Sequence, residues 1–160
     1  CFDCPDVVLK ADDDDDWGVG PLPARRHGRA LALQVLFEVD ASDHPPETAL
    51  AWGLEETPAP PQVKEFAEEL VRGVLEHKAS LDPQIQRFAP VWPVRQLALV
   101  DRNILRLAIY ELTKAQGMPP KVVINEAVEL AKLFGAESSP RFVNGVLGTL
   151  LESLTESPLP

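Results

Sequence analysis

Residues 119–147 read PPKVVINEAVELAKLFGAESSPRFVNGVL, and this stretch contains the pattern of two successive helices. The two prolines predict a helix start, because proline fits the first turn of a helix and disrupts its interior. Apolar side chains then recur at helical spacing as far as Gly135, which favours a helix end. Ser139 and Pro140 predict the next helix start, followed by an apolar stripe of Phe142, Val143, Val146, Leu147, Leu150 and Leu154.

The helical period extends back to Arg25. We predict a helix from Arg25 to the SDHPPE cluster at 42–47, and further helices over 47–52, 63–75, 82–88 and 94–112. Gly53 is expected to end the short second helix, and Asp82 with Pro83 to begin the fourth. No segment alternates apolar and polar residues over the length of a strand. The sequence therefore predicts an all-α bundle of about seven helices, with an N-terminal half at 25–79 and a C-terminal half at 80–155.

The charge is distributed unevenly. Residues 1–24 contain seven Asp and one Lys, so they carry most of the formal net charge of -10 and leave the remainder only mildly acidic. They lack helical periodicity, and we interpret them as a flexible acidic leader; residues 156–160 are expected to form a short tail. An anionic partner is therefore compatible with the charge of the folded part.

Several functional classes receive no support. The chain lacks a signal-peptide pattern and any apolar run long enough to cross a membrane, so a cytoplasmic protein without membrane attachment is expected. Motifs of serine hydrolases, phosphate-binding loops and zinc proteases are missing. Cys1 and Cys4 form one isolated pair with no second pair to complete a zinc site. We therefore predict no catalytic activity, no metal site and no cofactor.

Arg25, Arg26 and Arg29 form a basic cluster at a predicted helix start, where the helix dipole disfavours cations. Their spacing of three and four residues places them on one helix face. Guanidinium groups bind phosphates and stack on bases, so one interpretation is a nucleic-acid contact. The other is a helix end that is charged for solubility, and these residues alone leave both open.

A second basic site is predicted at Arg141 and Phe142, in the first turn of the last helix. Free backbone amides at a helix start attract anions, and an aromatic beside a cation is suited to stacking a single-stranded base. Phe142 also begins the apolar stripe of its helix, so a core position remains the alternative.

Three segments together carry a resemblance: RRHGRALALQVLF at 25–37, VDRNILRLAIYEL at 100–112, and residues 119–147. They resemble the NusB family of bacterial transcription antitermination factors over residues 25 to about 151. The resemblance implies an all-helical, non-enzymatic protein that pairs with NusE, a protein of the small ribosomal subunit. It further implies binding of the single-stranded boxA element in the leader RNA of ribosomal RNA operons, within an RNA polymerase complex that contains other Nus factors.

The resemblance also assigns roles to individual residues. It implies RNA contacts by Arg25, Arg26, Arg29, Arg102, Arg141 and Phe142, and contacts to the protein partner by Phe37, Asp101 and Arg106. The helix at 94–112 has apolar residues on several faces, which predicts a central helix buried by its neighbours. A surface network of ion pairs on this central helix explains its charged residues equally well.

Two other functions stay open at this level. NusB-like domains also precede ribosomal RNA cytosine methyltransferases, an interpretation that requires a truncated chain. A module that binds only proteins is the second alternative. The resemblance also leaves open whether the protein is a monomer or a homodimer.

Overall fold

The computed structural model describes residues 21–91, 93–115 and 118–156, and within these ranges it contains six α-helices, one 3-10 turn and no strand. The prediction of an all-α protein is confirmed. Most of the expected acidic leader, residues 1–20, and most of the expected tail, residues 157–160, lie outside the described residues, as do Cys1 and Cys4. Among the described helices, none is long and apolar enough to cross a membrane.

The chain divides into two compact units, the first ending at Leu75 and the second beginning at Glu76. In the first unit, helix α1 spans Pro21–Ser42 and packs against α2, which spans Pro46–Glu56. The first half of α3, which spans Pro61–Phe88, completes this unit. Its buried apolar side chains include Leu31, Leu33, Val35, Leu36, Val63, Ala67, Leu70 and Val74.

Two helix boundaries in the first unit differ most from the prediction. Helix α1 begins at Pro21, four residues before Arg25, because proline is compatible with the first turn. Helix α2 continues through Gly53 to Glu56. A Cβ at Gly53 would lie 3.1 Å from Cδ1 of Leu31, so this glycine permits close packing of α2 on α1 and does not end the helix.

The largest error of the prediction concerns helix α3, which is one continuous helix where two were predicted. Asp82 and Pro83 do not begin a new helix; Pro83 lies inside one helix of 28 residues. A proline in a helix interior costs about 3 kcal/mol because it lacks the N–H that would bond to the residue four positions earlier. Leu81 and Ile85 on either side are completely buried, and this burial offsets the cost.

In the second unit, α4 spans Leu99–Thr113, α5 spans Pro120–Phe134 and α6 spans Ser139–Glu156. The three helices pack against one another, with α4 in contact with both α5 and α6. Every residue of α4 from Asn103 to Ile109 is buried, as predicted for a helix that its neighbours cover. Its expected start at Val94 is wrong: Val94–Gln96 forms a separate 3-10 turn, and Leu97 is extended.

The helix ends predicted at the connection between α5 and α6 are correct. Helix α5 ends at Phe134, directly before Gly135. A Cβ at Gly135 would lie 2.6 Å from Oγ of Ser139 and 2.9 Å from the carbonyl oxygen of Ala131, so no larger residue fits this tight connection. Ser139 Oγ accepts a hydrogen bond of 2.9 Å from the backbone N–H of Ala136. These contacts fix the start of α6, where Arg141 and Phe142 lie.

Candidate nucleic-acid interface

The arginines of the first unit lie on the first two turns of α1 but differ in accessibility. Arg25 and Arg26 are partly exposed, whereas Arg29 has only 2% of its surface exposed. The sequence predicted that the three arginines share one helix face. In the structure they do not form one exposed patch, because Arg29 is buried. Arg25 and Arg26 are partly accessible to a ligand, whereas Arg29 is buried.

Phe66 of α3 brings Arg25 and Arg29 together. The guanidinium carbon Cζ of Arg25 lies 5.0 Å from the centroid of the Phe66 ring, and that of Arg29 lies 5.6 Å from the same centroid. Both distances are within the range of a cation–π interaction, in which the ring face attracts a cation. One aromatic ring thus supports two of the three basic side chains of this cluster.

Gly28 allows the Phe66 ring to approach α1 this closely. A Cβ at position 28 would lie 2.6 Å from Cδ2 of Phe66, a distance that real Cβ atoms essentially never show. Glycine inside a helix costs about 1 kcal/mol relative to alanine. The close approach of the ring explains why a glycine interrupts the basic run at this position.

His27 does not add to the positive charge of this surface. It is buried, and burial lowers its pKa from 6.5 to about 4, because the charged imidazolium is disfavoured away from water. His27 is therefore neutral at physiological pH. The positive charge at the start of α1 comes from the arginines.

The predicted basic site of the second unit lies at the first turn of α6. Arg141 is exposed and Phe142 is partly buried. The backbone N–H of Phe142 donates to the carbonyl oxygen of Ser138, so this amide is already occupied. The two side chains therefore differ in accessibility, with a charged group facing solvent and an aromatic ring at the edge of the core.

The three charged residues predicted on the central helix have different environments. Asp101 and Arg102 are partly exposed at the start of α4, and Nη1 of Arg102 donates to the carbonyl oxygen of Val94 at 3.3 Å. Oδ1 of Asp101 is buried and accepts no hydrogen bond from the described residues. These two side chains remain accessible to a partner near the first turn of α4.

Arg106, expected at a partner surface, is instead 5% exposed. Its Nε and Nη2 donate to the two carboxylate oxygens of Asp82 at 2.7 and 2.9 Å, and its Nη1 donates to Oδ1 of Asn103 at 3.2 Å. The guanidinium is thus engaged inside the second unit. Its geometry favours a structural role, and a partner would have to displace these bonds to contact it.

Phe37, the remaining predicted partner residue, is partly exposed in the last part of α1. It lies in the first unit, together with Arg25 and Arg26, while Asp101, Arg102, Arg141 and Phe142 lie in the second. The predicted site residues therefore form two groups, each placed by its own unit.

Two residues in this arrangement were missed as site residues by the sequence analysis. Phe66 fits the apolar stripe of α3, and no local signal distinguishes a ring under two arginines from an ordinary core position. Asp82 before Pro83 has the pattern of a helix cap, which concealed its contact with Arg106. Among the described residues, no group of His, Cys, Asp and Glu has the arrangement to hold a metal ion.

Comparison with known proteins gives consistent similarities. The sequence model of the NusB family matches residues 26–152. The transcription antitermination protein NusB of Roseiflexus castenholzii is 50% identical over 134 residues, which cover 82% of this chain and 94% of that protein. The structure of T. maritima NusB superposes with a TM-score of 0.74 at 38% identity, covering 80% of this chain and 90% of that one. A crystal structure of the antitermination factors NusB and NusE in complex with double-stranded RNA contains a chain that matches with a TM-score of 0.75 and 28% identity. The match covers 81% of this chain and 97% of that one.

Proposed function

Because the chain belongs to the NusB family of transcription antitermination proteins, we propose that it binds RNA together with a NusE partner and suppresses premature termination of transcription. The RNA is the boxA element of ribosomal RNA leaders, and the complex acts in the cytoplasm on RNA polymerase with other Nus factors. The protein works by binding and assembly, without catalysis and without a cofactor.

The observation that carries this proposal is the likeness to a NusB chain solved with NusE and double-stranded RNA, over 81% of this chain. The accessible arginines at the start of α1 support it, because guanidinium groups bind phosphates in a bidentate manner. In this proposal Arg25 and Arg26 contact RNA phosphates, and buried Arg29 strengthens the positive potential around them.

The second unit supplies two further contacts in the proposal. Arg141, exposed at the first turn of α6, binds phosphate, and the exposed part of Phe142 stacks on a base. At the start of α4, Arg102 contacts RNA and Asp101 contacts NusE. Phe37 adds an apolar contact to the protein partner. We leave Arg106 out of the interface because its donors bind Asp82 and Asn103.

The proposal is tested by the binding of a fluorescent boxA-containing RNA, in single-stranded and duplex form, with and without NusE, over a series of salt concentrations. Each phosphate contact by a cation contributes about 0.7 to the slope of log K against log salt on a single strand. Replacing Arg25 and Arg26 by Ala should therefore weaken binding and reduce the slope by about 1.4. The control is Arg72→Ala, which removes an exposed arginine from α3 of the same unit.

Binding that NusE strengthens and that the double replacement weakens supports the proposal. Binding of NusE with no RNA contribution would reduce the protein to a protein-binding module. An unchanged slope in the double variant would remove Arg25 and Arg26 from the RNA site.

A further inference from the structure

We propose that Phe66 is a positioning residue for RNA recognition: its ring holds the guanidinium of Arg25 in the orientation that binds phosphate. The inference rests on the proposed function and deepens it, since it assigns a role in RNA binding to an apolar residue of α3. Its basis is that Arg25 and Arg29 both make cation–π contacts with this one ring, with Cζ to centroid distances of 5.0 and 5.6 Å.

The cation–π contact of Arg25 is compatible with phosphate binding by the same guanidinium. A guanidinium carries five N–H donors in one plane, and a cation–π contact with one ring does not consume them as hydrogen-bond donors. Arg25 makes no ion pair or hydrogen bond with the other described residues and is partly exposed. Its contact with Phe66 thus restrains the side chain and leaves its donors for a ligand.

Restraint of Arg25 increases affinity because a free arginine must give up many rotamers when it binds. A side chain that is already held near its bound conformation loses less freedom on binding, which is the general advantage of preorganisation. Phe66 provides this restraint from α3, whose neighbouring residues Val63, Ala67 and Leu70 are buried in the core of the first unit. The ring is therefore held in place by the packing of α3, whereas a long side chain on the surface would move with its own rotamers.

Gly28 gives a second, independent reason for this assignment. It lies on α1 between Arg25 and Arg29, and a Cβ there would lie 2.6 Å from Phe66 Cδ2. The absence of a side chain at this position lets the ring reach the place where both arginines contact it. Replacing Gly28 by Ala should displace the ring and loosen Arg25 without changing the charge of α1.

The main test is a double-mutant cycle between Phe66→Leu and Arg25→Ala, with RNA affinity measured in the presence of NusE. Leucine fills most of the volume of Phe66 but has no π face. Phe66→Leu should weaken RNA binding about two- to fivefold when Arg25 is present, the range for a partly exposed cation–π contact, and should have no effect when Arg25 is Ala. Phe66→Tyr keeps the ring and should retain affinity.

Two further measurements test the inference even if the Phe66→Leu variant does not fold. Gly28→Ala should show the same dependence on Arg25 as Phe66→Leu. In the unmodified protein, the side-chain protons of Arg25 should show an NMR ring-current shift that the protons of exposed Arg72 lack. Absence of that shift would overturn the inference without any mutation.

The outcomes separate this inference from the proposed function. If Arg25→Ala weakens RNA binding but Phe66→Leu does not, or weakens it equally in both backgrounds, Phe66 has no positioning role and the proposed function stands. If Arg25→Ala leaves RNA binding unchanged, Arg25 is not a contact, and the inference falls together with that part of the proposed function.

Discussion

Arg106 and Asp82 form a bidentate ion pair that joins α4 to the last part of α3, with distances of 2.7 Å from Nε to Oδ1 and 2.9 Å from Nη2 to Oδ2. The Arg106 side chain is 6% exposed and that of Asp82 is 29% exposed. Two parallel N–H···O bonds of this kind fix both distance and orientation. The pair therefore sets the position of two helices of the second unit relative to each other.

Replacing Asp82 by Ala should destabilise the protein by roughly 3 kcal/mol, because it leaves the buried guanidinium of Arg106 without its carboxylate. Urea denaturation followed by circular dichroism measures this change. The control is Glu129→Ala, which removes the partner of Lys132 in an ion pair whose side chains are 47% and 57% exposed. The control should cost less than about 1 kcal/mol; equal losses in both variants would contradict a special role for the Arg106 pair.

His27 should make stability depend on pH. Its pKa is lowered to about 4 in the folded protein, and its ordinary value is 6.5, so the unfolded chain binds the proton more readily between these values. The contribution is fully present above pH 6.5 and is lost as the pH falls towards 4. Between pH 7.5 and pH 5 we expect the unfolding free energy to fall by about 2 kcal/mol through this group.

Urea denaturation at the two pH values, with His27→Gln and His77→Gln compared with the unmodified protein, checks the origin of this loss. The dependence on pH should be reduced in His27→Gln. If both variants retain the full dependence, other groups are responsible for it.

Arg141 and Phe142 should respond differently to replacement because they differ in exposure. Arg141→Ala should reduce the salt slope of single-strand RNA binding by about 0.7 with little change in stability. Phe142→Leu should lower the unfolding free energy through lost packing, and it should weaken RNA binding only if its exposed part stacks on a base. RNA titrations and urea denaturation of both variants separate the two contributions, and a reduced slope in Phe142→Leu with none in Arg141→Ala would contradict the assignment.

The pKa of Glu38 should depend on two neighbours at the end of α1. Hydrogen bonds from Ser42 and from His44 stabilise its carboxylate, with distances of 2.9 Å from Ser42 Oγ and 2.7 Å from His44 Nδ1, and they hold its pKa below the ordinary value. Ser42→Ala and His44→Ala should each raise this pKa, Ser42→Ala by the larger amount. An NMR titration of the Glu38 carboxyl carbon measures both shifts, and an unchanged pKa in either variant would argue against that hydrogen bond in solution.

Helix formation was predictable along most of the chain because apolar spacing is a local property. The period from Pro120 to Phe134, the end before Gly135 and the start at Ser139 could all be inferred from neighbouring residues. The prediction was wrong where tertiary packing stabilises a conformation that the neighbouring residues alone disfavour. Pro83 has the pattern of a helix start, yet burial of Leu81 and Ile85 keeps α3 continuous through it.

The basic cluster was also predictable, but the accessibility of its members was not. Residue spacing places Arg25, Arg26 and Arg29 near one another on α1, because four residues make about one helical turn. Spacing does not reveal which of them a neighbouring helix covers. Phe66, distant in sequence, lies under two of them, and the 2% exposure of Arg29 follows from packing that only the folded chain contains.

The sequence by itself determined the all-α class and the residues that mark membership of the NusB family, since both depend on the order of side chains along the chain. The tertiary structure decided which charged residues are available for binding. In the folded chain Arg106 is paired with Asp82 and Arg29 is buried, while Arg25 and Arg141 are accessible. The physical reason is that exposure and charge pairing depend on which helix faces meet, and these contacts join residues far apart in the sequence.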